Sequence, residues 1–322
     1  MQRIRQSAAA TIQVVFTDQY GTPTEPGGAV TVTITRANGD SVVSAGATTS
    51  GSTGVRKYQL TAAQTAQLDV LTAAWVDAST SATWTTYHRV VGGFVFLLSE
   101  ARASNDVLAD TAKYPDTLLA AKRDEVEEEL EWICDRSVVP SFARVTVDGT
   151  GTNRISTGLH DIRTLRAITT YDTVGGTGVA LSGGDLAAIS SFPNGDLCRT
   201  DGSVFPFGVG NVVVEAEYGL NGADSQLATA ALTRLRSLVT VGVSQIPERT
   251  RSWTDPHGNT YQFTGPDAYR TGIDSVDAVY MRYSLRAQTS TDQPGRGAGH
   301  RPASGTITFD PQHGGLFRGV PR

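Results

Sequence analysis

Between residues 100 and 116 the hydrophobic period of this chain changes from two to about 3.6, and that change constrains its fold more than any other feature. A period of two sends alternate side chains to opposite faces of a strand, whereas 3.6 gathers them along one stripe of a helix. Residues 10–100 read as strands: "TIQVVFTD", "AVTVTITR", "VRKYQLT", "AAWVDA" and "TWTTYHRVV" are short runs rich in Val, Thr and aromatics. Asn38-Gly39 suits a two-residue hairpin turn, because both residue types tolerate positive φ. "YGTPTEPGG" is a longer connection, and "TAAQTAQLDVL" predicts one or two helical turns crossing between sheets. Strands recurring at this spacing predict an immunoglobulin-like β-sandwich over residues 1–100, with Trp75 and Trp84 in its core.

From Asp116 to Arg136 the apolar residues Leu119, Val126, Leu130, Ile133 and Cys134 form one helical stripe. Pro115 and Asp116 mark its start and Pro140 lies beyond its end. A second long helix is expected over 224–243, where Leu227, Ala231, Leu235, Leu238 and Val239 repeat at three and four. A third runs from Ser275 to Leu285, with Val276, Val279, Tyr280 and Tyr283 facing inward. Residues 143–220 return to short strands and Gly-rich turns. The fold class is therefore α+β and multidomain: a sandwich (1–100), a helical domain (101–286) with a β insertion at about 143–220, and a tail (287–322). The tail is rich in Gly, Pro, Ser and Thr and buries too little surface to order alone. Its two apolar islands, Thr306 to Phe309 and Leu316-Phe317, are predicted strands or anchors for a partner.

Charge follows the same divisions. Residues 1–100 are neutral, 101–286 carry a net −7 and 287–322 a net +2. Such a balance does not mark the whole chain as a binder of nucleic acid or membrane. No apolar run approaches the 18 or so residues needed to span a bilayer. The start, "MQRIRQSAAATIQVV", reads as an arm leading into a strand rather than a signal peptide. Cys134 and Cys198 have no metal-ligand spacing and are expected to be reduced, small core residues in a cytoplasmic setting.

Little in the sequence points to catalysis. The five histidines are scattered, and neither a Gly-x-Ser-x-Gly elbow nor a phosphate loop occurs. "GGTGVALSGG" (175–184) and "FGVGNVV" (207–213) are expected to be hairpin loops, and "TDPHGNTYQF" (254–263) a surface turn before a strand. No cofactor or metal is expected. A hydrolase would need two carboxylates fixed roughly 5–10 Å apart in a cleft, and nothing favours that.

The acidic helix is more informative. Asp124, Glu125, Glu127, Glu128, Glu129 and Glu131 crowd one stretch, followed by Trp132. Stepping about 100° per residue from Leu119 puts Asp124, Glu128, Glu131 and Asp135 at roughly 120–180°, opposite the apolar stripe. Trp132 falls at roughly 220°, beside Glu125 and outside the stripe. A tryptophan there is expected to be buried against another subunit, with Glu125 and Glu129 at the same interface.

"AAKRDEVEEELEWICDRSVVP", "NVVVEAEYGLNGADSQLATAALTRLRSLV", "QIPERTRSWTDPHGNTYQF" and "TGIDSVDAVYMRYS" occur in that order over about 116–286. Together they resemble the head–tail connector (adaptor) proteins of long-tailed phages, especially those of actinobacterial hosts. The sandwich is similar to Ig-like decorations of phage structural proteins. The resemblance implies a structural, non-enzymatic protein of the virion neck, assembled in the host cytoplasm. It implies a ring of about twelve copies that joins the portal to a stopper or other neck protein and extends the DNA channel. Genomic double-stranded DNA would pass through without sequence-specific binding, and the sandwich would point outward, within reach of the major capsid protein. On this reading Asp124, Glu128, Glu131 and Asp135 line the channel and repel phosphate. Phe309, Leu316, Phe317 and Arg318 of the tail bind the portal. The alternatives are a stopper or tail-completion protein, or an Ig-like module recognising a partner or surface glycan.

Overall fold

Strand alternation appears most clearly in the burial of residues 10–15, 30–35 and 69–77. The computed structural model describes residues 1–172, 176–240, 252–254, 260–262, 270–285, 307–309 and 316–318. The N-terminal strands are β1 (Gln2–Arg5), β2 (Ala10–Val15), β3 (Val30–Thr35), β4 (Ser41–Ala47), β5 (Thr49–Ser50), β6 (Val55–Leu60), β7 (Asp69–Asp77) and β8 (Thr83–Val91). They form a five-stranded sheet, β1-β8-β7-β3-β4, and a three-stranded sheet, β2-β6-β5. β1 runs parallel to β8, with Arg3 beside Arg89, while the other pairs are antiparallel. Ile12 and Val14 of the small sheet share a core with Val32, Ile34, Leu71, Ala73 and Trp75 of the large one. Trp75 is fully buried and its indole N–H donates to Thr86 Oγ1 at 2.9 Å, which removes the cost of burying that donor. Trp84 packs on Phe16, ring centroids 4.4 Å apart.

The β3–β4 turn differs from the two-residue expectation. Arg36 and Asp40 close a longer loop, and only Gly39 has positive φ (94°). Asn38 instead bonds its own turn through Asp40, so its side chain does the work that left-handed backbone would have done. The "TAAQTAQLDVL" stretch is a turn that leaves the small sheet at β6 and joins the large one at β7.

Two short helices, α1 (Leu98–Ala103) and α2 (Asp106–Ala109), lead to α3 (Asp116–Cys134). Pro115 precedes α3 with φ −63° and ψ 155°, and Asp116 stands in the first turn, where a carboxylate suits the helix dipole. Asp135 ends the helix in a left-handed conformation. A β region follows: β9 (Ser141–Gly149), β10 (Arg154–Ser156), β11 (Ile162–Tyr171), β12 (Gly178–Ala180), α4 (Gly183–Ala187), β13 (Ile189–Ser191), β14 (Asp196–Arg199) and β15 (Gly208–Tyr218). Its sheets are ordered β12-β11-β15-β9 and β10-β14-β13 around a core of Ile155, Ile168, Leu197, Phe205, Val212, Val214 and Ala216.

Two Gly-rich stretches expected to be loops contain regular structure. Residues 178–180 pair with β11, and Ser182 and Asp185 form a capping box that starts α4. Residues 208–213 open β15 with an irregular register against β9. Glycine content alone therefore underestimates strand formation where an adjacent strand offers a ladder.

The helical module closes with α5 (Ser225–Thr240), the hairpin β16 (Ser252–Thr254) and β17 (Thr260–Gln262), and α6 (Asp274–Tyr283). Residues 241–243, expected to end the second helix, and 255–259 of "TDPHGNTYQF" lie outside the described residues. Leu119, Val126, Leu130, Ile133 and Cys134 of α3 bury against Leu227, Ala231 and Leu235 of α5 and Val276 and Tyr280 of α6. Truncating a fully buried leucine such as Leu130 to alanine costs about 2–5 kcal/mol.

Residues Met1–Leu285, sandwich and helices together, form one compact unit. Gly92 is one reason. Its N–H donates to Pro140 O at 2.7 Å, and an added Cβ would meet Pro140 Cβ at 2.7 Å, so only glycine permits this approach. The second unit, Arg286–Arg322, contains an antiparallel pair, β18 (Ile307–Phe309) and β19 (Leu316–Arg318), in which Phe309 is opposite Leu316 and Thr308 opposite Phe317. The two apolar islands are thus strands.

Candidate functional site: a buried carboxylate–arginine cluster beside an acidic groove

Strand β1 brings the first residues of the chain against the middle of α3, across 121 to 128 residues of sequence. Arg3 is buried there. Its backbone N–H donates to Asp124 Oδ2 at 3.0 Å, and its guanidinium forks onto Glu131 at 3.1 and 2.8 Å. The same guanidinium stands 3.3 Å from Glu127 Oε2. Arg89, beside Arg3 in the parallel ladder, donates to Glu131 Oε2 at 2.8 Å and to the Tyr218 hydroxyl at 2.7 Å. Ser137 Oγ donates to Glu131 Oε1 at 2.7 Å. Val95 N–H donates to Glu127 Oε1 at 2.8 Å, and the Arg123 guanidinium lies 3.3 Å over the Phe94 ring. Sandwich, connecting segment, helix and β region therefore meet in one ionic cluster.

Burial and pairing divide these acids. Burial alone would push Glu131 up, but the charges of Arg89 and Arg3, with bonds from Arg3 and Ser137, take its carboxyl down to about 2. Glu127 has no exposure at all. Burial outweighs Arg3 and the Val95 N–H and raises it to about 7. Burial also raises Asp124, against the Arg3 N–H and the nearby guanidinium groups. His88, buried in β8 between Thr86 and Gln2, is lowered to about 4 by burial and then by the N-terminal charge, so at neutral pH it is an uncharged structural residue.

The helical projection is corrected here. Asp124 and Glu131 do point away from the α5–α6 core, but β1 covers that side, so they do not share one outward face with Glu128 and Asp135. Glu128 and Asp135 are exposed. Of the three expected interface residues, Glu125 is exposed and Trp132 is 52% exposed. Glu129 is taken up within the chain by a two-pronged pair with Arg234 at 2.7 and 2.8 Å. Sequence reasoning missed Arg3, Arg89, Arg123 and Glu127. The available signal was in β1 and β8, where arginines fall inside otherwise regular strands and must find anions if they are covered.

Beside the cluster lies a groove of about 940 Å³. One wall is the outer side of α3, with Asp124, Glu125, Glu128 and Trp132; the other carries Gln2, Thr11, Gln13 and Lys57 of the sandwich. Lys122 pairs with Glu125 at 2.7 Å, and the Met1 amino group stands 3.5 Å from Glu128.

Among the described residues no group of three or more His, Cys, Asp or Glu is placed to hold a metal ion, and no helix is long and apolar enough to cross a membrane. Cys134 and Cys198 are both free thiols. Cys134 is buried, donates to Tyr280 O at 3.4 Å and is pushed up to about 12, chiefly by burial. The strands carrying Phe309, Leu316, Phe317 and Arg318 lie in the second unit.

No protein-family model and no curated protein sequence matches the chain. Among solved structures, it is similar to a chain in the neck of an empty gene transfer agent particle computed with C6 symmetry. That match has 13% identity and a TM-score of 0.39, covering 65% of this chain and 94% of the other. A chain in the neck of the native particle computed with C12 symmetry gives 14% identity and 0.38, covering 61% and 92%. A chain of the native gene transfer agent virion gives 14% and 0.37, covering 58% and 82%. Likeness at these scores is partial and carries no function with it.

Proposed function

We propose that this chain is a structural neck protein of a phage-like particle, an adaptor that forms a ring of about twelve copies between the portal and a stopper or other neck protein. The observation supporting this reading is how the resembling segments meet. Residues 120–140, 211–239 and 271–284, far apart in sequence, supply α3, α5 and α6 and pack into a single helical core. That module is joined to an Ig-like sandwich by buried ion pairs, as suits a part that transmits load rather than one that opens around a substrate. A glycan-binding module would use exposed tryptophan, whereas Trp75 is buried and Trp84 is packed on Phe16.

In the ring, Trp132 and Glu125 meet the adjacent subunit, while Glu128 and Asp135 border the DNA channel. Twelve copies multiply each exposed carboxylate into a band that repels phosphate, so DNA slides without adhering. Asp124 and Glu131 have an internal role instead, fixing the sandwich to α3. Phe309, Leu316, Phe317 and Arg318 engage the portal through the β18–β19 pair. The sandwich faces outward, with the major capsid protein in reach.

The channel assignment is tested by charge reversal. Glu128→Lys combined with Asp135→Lys should leave rings intact and slow DNA ejection from assembled particles, an effect that weakens as salt rises. Ejection at the wild-type rate at low salt would remove these residues from the channel.

A further inference from the structure

We infer that the loop before β15, with the first residues of that strand, is a knob that seats in the groove between α5 and α6 of a second copy of this chain. One observation is an apolar tip on a rigid mount. Val204, Phe207 and Val209 are 56%, 87% and 77% exposed. Residues 202–214 and the turn at 149–153 contain no charged side chain. Phe205 fixes the loop from below: it is fully buried in the core of the β region, and its N–H donates to Thr152 O at 2.8 Å. Buried Asn211 ties the loop to the end of β9, its Oδ1 accepting from Gly149 N–H at 2.8 Å and its Nδ2 donating to Pro206 O at 3.3 Å. A Cβ on Gly149 would stand 1.7 Å from Pro206 O, so only glycine permits this approach. A phenyl ring held out in water by such a mount is pre-organised for docking.

What covers the tip follows from a second surface of the same chain. Between α5 and α6 lies a groove of about 460 Å³. Its floor is Ala230 and Val276, both buried, with Val279 beside them. Thr229 and Thr233 of its wall turn their hydroxyls back onto their own helix, donating to Ser225 O at 2.7 Å and to Thr229 O at 2.9 Å. Those bonds leave the threonine methyl groups to the groove, which therefore suits an apolar occupant. Charge agrees. Among the described residues that line the groove Arg282 alone is charged, while Asp148, which accepts from Gly210 N–H at 2.7 Å, is a carboxylate at the base of the knob. Seating the knob brings these opposite charges toward each other. Phe207 is too exposed to occupy the groove of its own chain. Knob and groove are different surfaces, so the contact between copies is head-to-tail, the type from which rings are built.

The inference deepens the proposed ring and rests on it. The assay uses the full chain with Cys198→Ser, which leaves only the buried Cys134 thiol. One batch carries Val209→Cys beside an intact Phe207, and another carries Ser275→Cys on the groove rim. The two are mixed with the portal ring of the same particle and treated with a short bismaleimide. Peptide mass spectrometry should find a 209–275 link between copies. Position 209 joined only to 209 or only to the portal, or no link at all, overturns the assignment. Native mass of the same mixture reads the ring separately. A twelvefold complex without the 209–275 link overturns the knob and leaves the ring; the link without a twelvefold complex keeps the contact and overturns the ring. Phe207→Ser should leave the unfolding midpoint unchanged and raise the concentration for half-assembly roughly tenfold or more, as should Thr229→Trp, which fills the groove. Unchanged assembly in both variants overturns the inference. Cosedimentation of the native chain with phosphatidylcholine vesicles, lost in Phe207→Ser, would make the loop a membrane anchor and likewise overturn it.

Discussion

Glu131→Gln tests whether the buried cluster holds the sandwich to the helices. In the native chain Glu131 accepts from Arg3 twice, from Arg89 and from Ser137, and Arg3 is almost completely covered. Removing its charge leaves two covered guanidinium groups facing a neutral amide. The pKa displacement gives the magnitude: a fall from 4.5 to about 2, at 1.36 kcal/mol per unit, corresponds to about 3 kcal/mol. Breaking a buried pair costs about 3–5 kcal/mol, which agrees. Of a total stability of about 5–15 kcal/mol this is a large share. Because the folded pKa lies below the unfolded one, the contribution is fully present above about pH 4.5 and is lost as pH falls toward 2. Urea unfolding followed by circular dichroism should therefore show the variant destabilised by about 3 kcal/mol at pH 7, with the gap to wild type closing between pH 4.5 and 2. A difference below about 1 kcal/mol at pH 7, or one that persists unchanged to pH 2, would refute the assigned role.

Further predictions concern neighbouring groups. Glu127 has the opposite sign: its folded pKa, about 7, exceeds the ordinary 4.5 of the unfolded chain, so the stability it contributes below pH 4.5 is lost as pH rises through 7. Glu127→Gln, which keeps an oxygen for Val95 N–H, should be more stable than wild type at pH 8 by about 2–3 kcal/mol and equal to it near pH 4; a variant weaker at both would show that the Arg3 pair dominates. Trp132→Ala should cost about 2 kcal/mol per subunit contact and raise the concentration for half-assembly roughly 30-fold, measured by sedimentation; unchanged assembly would place Trp132 outside the interface. Iodoacetamide at pH 8 should modify partly exposed Cys198 in the folded chain and Cys134 only after unfolding, as peptide mass spectrometry can score; early labelling of Cys134 would mean that the α3–α6 contact opens readily.

Local pattern carried the sequence reading furthest where one element decides its own state. The stripe of Leu119, Val126 and Leu130 defines α3, and Val276 and Tyr280 define α6, because a period of 3.6 needs no knowledge of partners. The alternating burial of β3 and β7 was legible for the same reason. What the pattern could not show was the second surface of α3. Helical projection separates a residue from its core stripe but does not say whether another element covers it. Asp124 and Glu131 therefore looked equivalent to Glu128, until β1 and β8 supplied arginines from residues 3 and 89. Glu129 likewise meets Arg234 across 105 residues. Eight carboxylates on and beside a nineteen-residue helix, Asp116 to Asp135, were correctly legible as unusual. Their division into buried fastenings and an exposed rim depends on tertiary contacts that have no local signature.

The central claim is most directly tested by the native mass of the purified chain, alone and mixed with the portal ring of the same particle. A stable complex with about twelve copies of this chain on each portal ring is the expected result. A monomer that ignores the portal at every mixing ratio would contradict it.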